Sequence, residues 1–89
     1  MHNFENLADN TETLITSIPS KLIRVVINKK GATSNVLSLY DGADVNGRII
    51  ATIDTTVSVG TFDFDVLCPK GLYAKMATGT AADVTIVYN

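Results

Sequence analysis

The chain has 89 residues, of which 46% are hydrophobic and 18% charged, with a net charge of −2. That is one small domain: it has too little surface for two cores and too much apolar content to stay disordered. Seven Lys plus Arg against nine Asp plus Glu exclude the basic stripe that nucleic-acid modules carry.

Residues 1–10, MHNFENLADN, show no sustained periodicity. Phe4 and Leu7 sit three apart, which suits either a short helical turn or an extended arm. No signal peptide is expected here, since the segment is polar and holds Glu5 and Asp9. From Thr11 onward the pattern is strand, turn, strand. Thr11–Ser17 is β-rich and stops before Pro19, which cannot donate to a ladder. Lys21–Asn28 is almost continuously apolar and reads as a central strand buried on both faces. Lys29–Asn35 is a turn by composition, and its Lys29–Lys30 pair is read as a solvated turn. Val36–Tyr40 is the next strand. Asp41–Gly47 is a loop whose Asp-Gly and Asn-Gly pairs favour chain reversal.

Arg48–Asp54 follows, with Ile49, Ala51 and Ile53 expected on one face. Thr55–Gly60 connects it to Thr61–Cys68, where the alternation is cleanest. Phe62, Phe64, Val66 and Cys68 face one way and Thr61, Asp63, Asp65 and Leu67 the other, which fixes the register. Pro69–Gly71 is a tight turn. Leu72–Thr78 and Ala82–Tyr88 complete the set. About seven short, evenly spaced strands without intervening helices exclude parallel βαβ units. They predict an all-β, antiparallel two-sheet β-sandwich of jelly-roll or immunoglobulin-like type. Residues 1–20 are expected to form an N-terminal arm and first strand, and residues 21–89 the sandwich core of a single domain.

No catalytic set emerges. His2, the one histidine, lies where chains fray, and a general base must be held. Cys68, the one cysteine, alternates with Phe62, Phe64 and Val66 and reads as a small core hydrophobe. No intrachain disulfide follows, which points to a reducing compartment or to stability drawn from partner chains. Asp63 and Asp65 share a face and read as solvated, with a subunit interface as the exception. Asp41, Asp44 and Asn46 lack the calcium-loop spacing and read as turn caps. No metal, cofactor or membrane segment is expected.

High apolar content with few charges predicts that outward apolar patches are covered by other copies or by a larger assembly. Leu67, Val87, Ile50 and Ile23 fall opposite their strands' main apolar rows or in a doubly apolar strand, and Phe4 and Leu7 lie on the arm. Of these, Phe4, Leu7, Leu67 and Val87 are the expected interface residues. A cyclic homo-oligomer, a trimer first, is the expected form. Tyr40 and Tyr73 are the candidates for a rival reading, a small carbohydrate- or receptor-binding module.

The run KLIRVVINKKGATSNVLSLYDG, then RIIATIDTT, GTFDFDVLCPKGLYAKMATGT and AADVTIVYN, resembles a set of small tailed-phage virion structural proteins of head-decoration or head-fibre type. The resemblance covers residues 21–89 and rests on strand and turn texture. It implies a non-enzymatic capsid decoration, cement or fibre subunit in the virion, bound to the major capsid protein. It carries over no functional residue.

Overall fold

In the computed structural model, which describes residues 2–89, the chain forms two antiparallel sheets of four strands each. The strands are β1 (Asn3–Leu7), β2 (Thr11–Thr16), β3 (Ser20–Lys29), β4 (Val36–Asp41), β5 (Arg48–Asp54), β6 (Gly60–Cys68), β7 (Leu72–Ala77) and β8 (Asp83–Tyr88). One sheet runs β1-β8-β3-β6 and the other β2-β7-β4-β5. β1 bonds β8, β2 bonds β7, β3 bonds β6 and β4 bonds β5, so the chain is a long hairpin wrapped on itself. The contacts β3–β8 and β4–β7 then join these pairs within each sheet. That order selects the jelly roll. The expected β-sandwich is therefore present, and no helix of the described residues is long and apolar enough to cross a membrane.

The segment expected to be an arm is an eighth strand. Asn3–Leu7 pairs along its whole length with β8, and Leu7 enters the core at 6% exposure. Its five residues are too few to show a period, so the partner strand, not local pattern, makes it a strand.

The core is aliphatic. Leu22, Val25, Ile27, Leu37, Leu39, Leu72, Met76, Val84 and Ile86 are all at or below 1% exposure. β3 reaches this core in an unexpected way. Leu22 faces Tyr88 and Arg24 faces Val87, so Ile23 has no partner on β8. This bulge changes the strand's phase, and Leu22, Val25 and Ile27 all point inward. The near-continuous apolar run thus reflects a phase change. Only one face of β3 is buried, and Ile23 and Val26 stay half-exposed.

One end of the sandwich is tied by a buried amide. Asn35 is fully buried just before β4. Its Nδ2 donates to Asn10 Oδ1 at 2.8 Å and to the Thr78 carbonyl at 2.8 Å. Its Oδ1 accepts from Thr55 Oγ1 at 2.6 Å and from the Ala82 amide at 3.2 Å. Asn10, Asn35, Thr55 and Thr78–Ala82 belong to the four loops of this end. One side chain therefore connects all four turns with its polar capacity used. Thr78 and Gly79 turn at positive φ, 68° and 59°. A Cβ at Gly79 would collide with the Ala32 and Thr33 carbonyls, so glycine is needed there.

Candidate association surface

A jelly roll of this order leaves four edge strands. β1 and β2 border one flank, and β5 and β6 the other. Each edge carries unpaired backbone groups that can accept another strand. The exposed large apolar side chains follow this division. Phe4, Leu14 and Ile18 lie on β1, on β2 and in the loop after β2. Val45, Ile49, Val57, Val59, Phe62 and Leu67 lie on β5, on β6 and in the loops before and between them. None of the exposed large apolar residues lies on the inner strands β3, β4, β7 or β8.

The β5/β6 flank is an open apolar seam. β5 pairs only with β4 and β6 only with β3, so no ladder closes the gap. One cleft along it is lined by Ala51, Ile53, Val57, Phe62 and Phe64 among others. A second, further along, is lined by Ile49, Ile50, Val66, Leu67 and Pro69 with Asp41 and Arg48. Cross-strand register explains the lining. Phe62 sits opposite buried Val25, Ile53 opposite buried Leu37 and Ala51 opposite buried Leu39. These positions face inward with no further strand beyond them: Ile53 is still buried, whereas Phe62 is 40% exposed. On the outer face Lys21 Nζ lies 2.7 Å from Asp65 and Arg24 Nε 3.4 Å from Asp63, with the carboxylates largely exposed. Such pairs add little stability. Asp65 holds a φ of 70° where two residues of β6, Phe64 and Asp65, face Ile23 alone.

The β1/β2 flank is different. Glu5 faces Ile86, itself opposite Val25, so a carboxylate takes the inward position at this rim. Thr11 and Thr13 take the matching positions on β2, facing Met76 and Ala74. An inward-pointing charge on an edge strand is a device against strand addition.

The expected interface residues fare unequally. Leu67 is 73% exposed at the β5/β6 seam and Phe4 is 69% exposed on the outer face of β1. Leu7 is corrected: its side chain is in the core, because β1 is a paired strand and not a free arm. Val87 is half-buried on the outer face of β8, between Phe4 and Arg24. Ile49 and Ile50 exchange roles. Leu39 faces Ala51 and Tyr40 faces Ile49, so Ile50 is unpaired in a bulge. Ile50 packs on the core and Ile49 turns outward at 54% exposure.

Other candidates resolve locally. Cys68 is fully buried, and burial raises its thiol above the usual range. His2 is exposed. Asp44 Oδ1 accepts from the Asn46 amide and Asp41 Oδ1 from the Lys70 amide, so both cap turns. Among the described residues no three His, Cys, Asp or Glu side chains are grouped to hold a metal. Tyr40 and Tyr73 are cross-strand neighbours with centroids 6.4 Å apart and planes at 59°. Tyr73 donates to Glu12 Oε1 at 3.0 Å. Desolvation, then that bond and the charge of Glu12, raise its phenol. Sequence pattern missed Phe62 as a surface residue, 40% exposed, because only strand order tells which inward positions lie at an edge.

No family model and no curated protein matches the chain. Among solved structures it is similar to an endospore appendage protein of Bacillus, from pili described as disulfide-linked. The identity is 14%, the TM-score 0.49, and the match covers 99% of this chain and 82% of that one. That likeness assigns no role here, and the resemblance to phage virion proteins rests on the quoted residues alone.

Proposed function

We propose that this protein is a non-enzymatic structural subunit that associates with copies of itself. The observation carrying this reading is the apolar β5/β6 seam, where Phe62, Phe64 and Val66 line a gap that no strand of the chain fills. Covering such a patch is favourable by about 25 cal/mol per Å² of apolar surface. With the resemblance over residues 21–89, the finer proposal is a virion component: a capsid decoration, cement or head-fibre subunit seated on the major capsid protein. Size-exclusion chromatography with light scattering tests the self-association, and co-sedimentation with purified capsid shells tests the finer reading. A chain that stays monomeric and leaves the shells in the supernatant contradicts both.

A second reading has one observation in its favour. Leu14, Tyr73, Tyr40 and Ile49 form a single cross-strand row over the outer face of the second sheet. A receptor or glycan could lie on that row. The two rings are tilted by 59°, which offers no flat stacking platform, so the structural reading is preferred. A glycan array that captures the monomer would reverse the preference.

A further inference from the structure

Building on the self-association reading, we propose that the covering partner is a second copy docked through the same β5/β6 flank, in a symmetric dimer that extends both sheets. The register supports this partner. A twofold axis perpendicular to the sheets sets β6 against β6 and β5 against β5 of the other copy. Such a rotation reverses strand direction, so both new contacts are antiparallel, as every existing one is. Phe62 and Phe64 of each copy then meet across the seam and continue the core.

Area and chemistry agree. The nine residues of β6 span roughly 30 Å. Two sheets about 10 Å apart, with their side chains, make a flank roughly 20 Å deep. The buried surface is therefore about 600 Å² per copy and about 1,200 Å² in total, at the lower bound for a stable interface. The other flank is a poor substitute. In a head-to-tail contact Glu5 would meet the seam, since it lies in the same cross-strand row as Phe62. Burying that carboxylate against a phenylalanine is costly. In the symmetric dimer Asp63 and Asp65 stay on the outer face with Arg24 and Lys21.

The test is light scattering on the full chain and three variants, with circular dichroism to confirm the β fold. Wild type is expected at twice the chain mass. Phe62→Asp is expected at the monomer mass, and so is Val57→Lys, whose site is in an exposed loop and leaves the core intact. Phe4→Asp is expected to remain a dimer. A head-to-tail assembly gives a different pattern. Both Phe62→Asp and Phe4→Asp would then lose assembly, and mixing them would restore a one-to-one pair through the intact flanks. That result, a wild-type trimer, or dimers of both Val57→Lys and Phe62→Asp would overturn the symmetric dimer and leave self-association standing. A wild type that is monomeric at every concentration would overturn both.

Discussion

The β1/β2 flank and the β5/β6 flank are both sheet edges, and each is bridged by a loop held at the Asn35 end of the sandwich. The first presents Glu5, Thr11 and Thr13 at inward rim positions beside the buried Leu7 of β1. The second presents Ala51, Phe62 and Phe64 beside the buried Ile53 of β5. Equal exposure of backbone groups therefore does not make equal interfaces. The side chains at the rim decide whether an edge repels or accepts another strand.

The contrast depends on the tie the flanks share. Asn35→Ala strips partners from the Ala82 amide, the Asn10 carboxamide and the Thr78 carbonyl, and leaves the Thr55 hydroxyl only the residue-35 carbonyl. The expected loss is about 3 to 5 kcal/mol in urea unfolding, with all four loops loosened. A loss under about 1 kcal/mol would show that the network does not hold the flanks. Leu7→Ala acts on one flank alone. It should cost about 2 to 3 kcal/mol by core truncation and leave association unchanged in light scattering. Leu67→Lys acts on the other. Monomer stability should change by less than about 0.5 kcal/mol, while the association constant falls at least about tenfold. An unchanged association constant would place Leu67 outside the interface.

Glu5→Leu sharpens the comparison by removing the guard. Species larger than the wild-type assembly should appear in light scattering, and their absence would show that Glu5 does not protect that edge. The smallest effect concerns acid. Hydrogen bonds from Asn6 and then Asn28 hold Asp83 below its ordinary 3.8. A carboxyl lowered in the folded state binds its proton less readily there. Its contribution is present above the unfolded value and is lost as pH falls through the folded one. Asn6→Ala should therefore lower the urea midpoint at neutral pH, and the difference from wild type should narrow as the pH falls below 3.8, as measured by circular dichroism.

Much of the fold was legible because strands here announce themselves by alternation and turn chemistry. Thr61–Cys68 alternated cleanly and is β6, and Arg48–Asp54 is β5 without a shift in bounds. What stayed hidden is non-local. β1 is a strand because β8 lies beside it, and its own residues say little. The bulges at Ile23 and Ile50 each move one residue across the sheet, so β3 is buried on one face and not two, and Ile49 leaves the face that period two gave it with Ala51 and Ile53. Asn35 and Thr55 look like ordinary loop residues until four loops meet around them. The association surface was legible only in part. Leu67 stood out as an apolar residue on a polar face, whereas Phe62 carried the pattern of a core residue. It becomes a surface residue because strand order leaves it at an edge, and strand order is not written in local periodicity.

The most direct measurement is amide hydrogen exchange at two protein concentrations, read residue by residue. The account predicts that amides of Gly60–Phe64 and Ala51–Asp54 exchange more slowly at the higher concentration, while those of Asn3–Leu7 do not change. Equal exchange of the two flanks at both concentrations would contradict it.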